Sequence, residues 1–100
     1  MKIEILDEAE ADLIEGFHFY DHQESGLGWY FLDSLFSDID SLLLYAGIHN
    51  AVFGYYRCLA KRFPFAVYYS IEGEAVRVHA VLDCRRNPSW TRKRLEKSDL

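Results

Sequence analysis

The chain has 100 residues, a formal net charge of -5, half of its residues apolar and 16% aromatic. One domain over residues 1–100 fits that length, and the apolar content excludes a disordered chain. No apolar run approaches the roughly 20 residues needed to span a bilayer, and the acids that follow Leu6 exclude a signal-peptide layout, so a soluble cytoplasmic protein is expected.

"KIEIL" at the start reads as a strand with Ile3 and Ile5 on one side. Asp7 followed by Glu10 has the spacing of a capping box and predicts a helix start there. Ala9, Leu13, Gly16, Phe17 and Tyr20 then fall on one helical stripe, with Glu8, Asp12, Glu15 and His22 on the solvated face. "ESGLGWY" breaks that helix at Gly26 and Gly28. Leu32, Leu35, Phe36, Ile39, Leu42 and Leu43 form the stripe of a second helix, which Gly47 stops. The short connection predicts an antiparallel helix hairpin.

The period changes to two after Phe53. "GYYRCLAKR" and "FAVYYSI" read as strands separated at Pro64, and Phe65, Val67, Tyr69 and Ile71 share one face of the second. A turn around Gly73 leads into "AVRVHAVL", with Val76, Val78, Ala80 and Leu82 expected on one face and Arg77, His79 and Val81 on the other. Asn87-Pro88 marks a turn, and "SWTRKRLEK" reads as a short basic helix with Leu95 as its anchor. The expected class is α+β: a first strand, a two-helix hairpin packed on an antiparallel sheet with a three-stranded meander, and a short C-terminal helix.

The charge is unevenly placed. The first 50 residues hold one base, Lys2, against 11 acids; the second 50 hold ten bases against five acids. The acidic average excludes a general nucleic-acid coat. The split leaves two readings: a local anionic partner for the second half, or attraction between the halves within one fold.

Cys58 and Cys84 match no metal or redox spacing and are expected as reduced, partly buried thiols. His18, Asp21 and His22 lack a third ligand at defined spacing and read as a solvated face, so no metal and no cofactor is expected. Tyr55, Tyr56, Tyr68 and Tyr69 read as core and interface packing rather than base-stacking platforms. Trp29, Tyr30, Phe31 and Trp90 are candidate interface anchors.

"YYRCLAKRFPFAVYYSIEGEAVRVHAVLDCRRNPSW" resembles the second half of the RelE/ParE superfamily of bacterial toxins: an arginine strand, a basic-Phe-Pro-aromatic turn, a tyrosine-rich strand, a hairpin, and a valine-rich strand ending in two basic residues. "AEADLIEGFHFYDHQESGLGWYFLDSL" resembles the helix pair of the ParE-like, plasmid-stabilisation branch, with its "GLG" break. The resemblance implies the toxin of a type II toxin–antitoxin system, held in a hetero-oligomer by a cognate antitoxin. ParE-like members poison DNA gyrase, RelE-like members cut mRNA on the ribosome, and some members are inert and bind only their antitoxin.

RNA cleavage needs groups that take a proton from the 2′-hydroxyl, stabilise the phosphorane charge and protonate the leaving oxygen. In a nuclease, Arg57, His79 and Arg86 would have to supply them. The position after the Phe-Pro turn that is basic in the nucleases is Ala66 here, and no tyrosine follows Tyr69. The expected activity is therefore binding, with Arg57, Arg62, Arg85, Arg86 and Trp90 as the residues that meet a target or antitoxin. Of Arg85 and Arg86, adjacent in sequence, one is expected to pair with an acid of the N-terminal helices and the other to face the partner.

Overall fold

The computed structural model describes residues 1–97. The elements are β1 (Lys2–Ile5), α1 (Asp7–Gln23), α2 (Leu27–Asp40), α3 (Leu42–Tyr45), β2 (Ala51–Val52), β3 (Tyr55–Leu59), β4 (Phe65–Glu72), β5 (Ala75–Asp83) and α4 (Pro88–Lys97). One five-stranded sheet has the order β1-β5-β4-β3-β2. The expected meander is there, antiparallel throughout, and β1 joins β5 in parallel. Only β2 is absent from the sequence reading. It is two residues long, and its turn into β3 holds Phe53 and Gly54 both at positive φ, as a tight hairpin of opposite-handed turn requires.

The helix hairpin covers one face of the sheet. Ala9, Leu13 and Tyr20 from α1, with Phe31, Leu35 and Ile39 from α2, pack against Val67, Tyr69, Val76 and Val78. Phe31 is fully buried and contacts the rings of Tyr20, Phe63 and Phe65, so it is a core residue and not an exposed anchor. Phe36 and Leu43 lie at the edges of the expected stripe and are exposed. The long second helix is divided at Ser41, whose hydroxyl donates to the Asp38 carbonyl at 2.6 Å.

Two helix starts differ from expectation. Leu6 is the N-cap of α1 and offers no side-chain acceptor, so Asp7 and Glu10 form no capping box; with Glu8 they sit inside the first turn, where acids favour the positive end of the helix dipole. The start of α2 is capped from a distance: Asp21 Oδ1 accepts the N–H groups of Gly26 at 2.9 Å and Gly28 at 3.2 Å, which gives Asp21 a structural role between exposed His18 and His22.

The expected facing of β5 changes halfway along. Tyr69 pairs with Val78 but Tyr68 pairs with Ala80, so His79 is an extra residue in the ladder, a β-bulge. Because side chains alternate with period two, one added residue exchanges the faces beyond it. Val81 therefore joins Val76 and Val78 under the helices. Ala80 and Leu82 move to the opposite face, where they meet Tyr55, Ala66, Tyr68 and Leu95 of α4.

The hairpin contact predicts its own weak point. A Cβ on Gly28 would stand 2.6 Å from the Phe17 carbonyl oxygen and 2.8 Å from Asp21 Cβ. Gly28→Ala is expected to lower stability by about 2 kcal/mol through overpacking, read as a lower urea midpoint at unchanged slope.

Candidate functional site

β1 ends at Ile5, opposite Val78, whereas β5 runs on to Asp83. The second half of β5 is thus an edge where the first half is central. Asp12 of α1 closes part of it: its Oδ2 accepts the Val81 N–H at 3.0 Å and binds the Arg94 guanidinium of α4 at 2.7 Å. Arg94 also reaches the Glu8 carboxylate at 3.0 Å and the Glu8 carbonyl at 3.2 Å. Asp12 was expected on a solvated face, and Arg94 belongs to the short basic helix. Both are largely buried, with 13% and 15% of their side chains exposed. Here the acidic half of the sequence meets the basic half inside one fold; Arg77 of β5 with Glu4 of β1, at 3.4 Å, is a second such contact.

Burial pushes the Asp12 carboxyl up from 3.8 to about 6, against the opposing pull of the Val81 amide and Arg94. A carboxyl that holds its proton more tightly folded than unfolded is stabilised by protonation.

Asp83 ends β5 opposite Phe65, and the chain then turns, with Arg86 N–H donating to the Asp83 carbonyl at 3.2 Å. Arg85 folds back on Asp83: its backbone N–H, Nε and Nη2 donate to the two carboxylate oxygens at 2.8, 3.0 and 2.8 Å. Those bonds hold the Asp83 carboxyl below the usual carboxylate range and raise Arg85. Arg85 also bonds to the Tyr20 hydroxyl of α1, whose own pKa is raised by burial. The expected division of labour between the two arginines is therefore modified. Arg85 does reach a helix of the N-terminal pair, but through a tyrosine, and its acid is the residue two before it, which a tight turn delivers without any tertiary contact. The acid-to-base tie to α1 belongs to Arg94.

Arg86 lies over the Trp90 ring, 4.2 Å from its centroid. Asn87 caps α4 by accepting the Ser89 N–H at 2.9 Å, with Pro88 at the first helical position, and this fixes Trp90 one turn on. Arg86 and Trp90 form one wall of a cleft of about 140 Å³. Asp12, Glu15, Gly16 and Phe19 of α1 form the facing wall, and Phe65, Val81, Leu82 and Asp83 form the floor.

The other candidate residues lie elsewhere. Arg57 is half-buried on the sheet face away from α1 and α2, bonded to Tyr68 and close to Cys84. Its bond opposes the rise that burial gives the Tyr68 hydroxyl. Arg62 is exposed in the loop before Pro64. That loop shares an end of the sheet with residues 83–86, because the Cys84 N–H donates to the Pro64 carbonyl at 2.8 Å. His79 is buried at the bulge, 2.8 Å from the Ser70 hydroxyl and with its ring 4.6 Å from Tyr55. Arg86 lines the cleft; Arg57 and His79 do not. Cys58 is buried and Cys84 exposed, both as free thiols, where part burial was expected of each.

No sequence motif pointed to Asp12, Phe19 or Arg94 as site residues. An acid on a helix and an arginine in "RKRLEK" are ordinarily solvated, and only the pairing of α1 with α4 across β5 brings them together.

The fold is ParE-like, as the sequence motifs implied. A chain of the solved structure described as "Chromosomal ParDE TA system from P. aeruginosa" superimposes with a TM-score of 0.74, covering 81% of this chain and 92% of that one at 17% sequence identity. No protein-family model matches the sequence, and no curated protein matches it. No helix among the described residues is long and apolar enough to cross a membrane.

The Asp12 pair sets a pH dependence. Stability contributed by the retained proton is fully present below about pH 4 and is lost as pH rises to about 6, amounting to about 3 kcal/mol for a rise from 3.8 to about 6. The difference in urea-unfolding free energy between the wild-type chain and Asp12→Asn is expected to change by that amount across the window and to stay flat above it.

Proposed function

We propose that this chain, over residues 1–100, is the toxin of a type II toxin–antitoxin system that acts in the cytoplasm by binding a target and is neutralised by a cognate antitoxin in a hetero-oligomer. The ParE-like fold supports the toxin reading. The target is DNA gyrase, on the resemblance of the helix pair and the Arg-Arg strand end to the ParE-like branch.

One observation favours binding over RNA cleavage. The three groups a nuclease would need, Arg57, His79 and Arg86, do not line one cleft. His79 is 7% exposed and engaged with Ser70, and Arg57 is engaged with Tyr68. Acid–base catalysis requires its donors within hydrogen-bond reach of the same reacting atoms. Binding asks less: a rigid platform with charges held in place. The basic end of the sheet, with Arg62, Arg85, Arg86 and Trp90 exposed and Arg57 beneath, supplies one.

Induced expression of the chain alone is expected to reduce colony survival, lengthen cells and raise the DNA-damage response. Arg86→Ala, shown to be folded by circular dichroism, is expected to restore survival by about tenfold or more, because it removes a charge without touching the core. Growth arrest with cut mRNA and no damage response would instead establish the ribosome-dependent endonuclease. Antitoxin binding without any growth arrest would establish an inert member.

A further inference from the structure

Residues 41–56 contain no Asp, Glu, Lys or Arg, in a chain that is 27% charged. This run crosses one end of the sheet. α3 packs beside β1. The loop after it passes over β4, where the Gly47 N–H donates to the Tyr69 hydroxyl at 2.9 Å and His49 Nδ1 bonds to the same hydroxyl. The Asn50 carbonyl, just before β2, accepts the Arg57 N–H at 2.9 Å. The strap is thus anchored at both ends and in the middle. Its outer side is apolar. Leu42 is buried, but Leu43, Leu44, Tyr45, Ile48 and Phe53 are about half exposed or more, Leu44 by 81% and Ile48 by 73%. Phe53 also holds φ at 54°, a left-handed conformation uncommon for a bulky residue. Gly or Asn fills such a turn position without strain. An aromatic ring kept there despite the strain points to a use beyond the turn.

Charge and area together select what covers this strap. The five side chains amount to several hundred Å² of apolar surface, the larger part of the about 800 Å² that each partner of a standard interface buries. The strap offers no charge by which an acidic or a basic partner could be chosen. Two copies of a chain with a net charge of -5 repel one another, and they meet with least repulsion through surface that carries none. A two-fold contact places the same patch on both sides, and an apolar patch is complementary to itself where a patch of one charge sign is not. The strap is also remote from the cleft. Gly47 stands beside Ile71 near the end of β4, whereas Phe65 at the start of β4 is part of the cleft floor, about 20 Å away along the strand.

We propose that residues 43–53 form the interface of a symmetric homodimer, in which Leu44, Ile48 and Phe53 of one copy pack against the same strap of a second copy around a two-fold axis. The dimer leaves both basic sheet ends uncovered, so it presents two binding ends to a partner that has two sites. The inference goes beyond the toxin reading and does not rest on it.

The test is sedimentation equilibrium of the purified full chain from about 1 to about 200 μM. The mass is expected to rise from 11.7 kDa to twice that value, with a dissociation constant of micromolar order. Leu44→Asp changes an exposed side chain, leaves the core intact and sets like charges across the two-fold axis. It is expected to weaken association about tenfold or more. An equal mixture of Leu44→Asp and Leu44→Lys is expected to associate more tightly than either variant alone, because the two patches face each other. Leu59→Asp, at the opposite end of β3 and also exposed, is expected to leave the mass curve unchanged. Circular dichroism checks that each variant is folded. A single 11.7 kDa species at every concentration, or association that Leu44→Asp leaves intact or that Leu59→Asp weakens equally, would overturn the proposal. A monomeric wild-type chain whose growth arrest is lost in Leu44→Asp would assign the strap to a different protein and overturn it too. Growth arrest by a monomeric chain would reject the dimer and leave the toxin reading standing.

Discussion

On the side away from β4, half of β5 has no strand to pair with, and much of the candidate site follows from that. β1 is four residues long and stops at Val78, while β5 continues to Asp83. A buried main-chain N–H without a partner is costly, so Val81 needs an acceptor from outside the sheet. Asp12 provides it. A carboxylate there needs a counter-ion, and Arg94 provides that from α4. One missing strand length thus brings three distant parts of the chain together. The cleft is the space left beside this closure.

The same region explains why a small acidic protein ends a core strand on two arginines. They are adjacent in sequence and have different tasks. Arg85 closes on Asp83 and Tyr20 and so rigidifies the strand end. Arg86 lies on Trp90 and has no ion-pair partner among the described residues. The acidic N-terminal half is partly neutralised by Arg94 and Arg77, while Arg62 and Arg86 have no ion-pair partner among the described residues. A net charge of -5 and a basic sheet end are therefore compatible.

The layout of helices and strands was legible because each rests on local periodicity or on turn chemistry. The stripe of α1, the break at Gly26, the stop at Gly47 and the Phe65–Ile71 face needed no tertiary information. The short strand β2 was not legible, since two residues carry no period. Neither was the exchange of faces in β5. "AVRVHAVL" alternates cleanly, and a bulge at His79 leaves no trace in that alternation, because Ala80, Val81 and Leu82 are all apolar and suit either face.

The sequence by itself determined the α+β class, the helix hairpin and the meander, since all of these depend on residues near one another along the chain. Tertiary structure alone decided that Arg86 stacks on Trp90, that Asp12 and Arg94 are buried, that Phe31 belongs to the core, and that His79 stands apart from Arg86. Each of those outcomes depends on the length mismatch between β1 and β5, on the bulge, or on the packing of the helices over the sheet. These set contacts between residues as far apart as Glu8 and Arg94, and no local pattern records them.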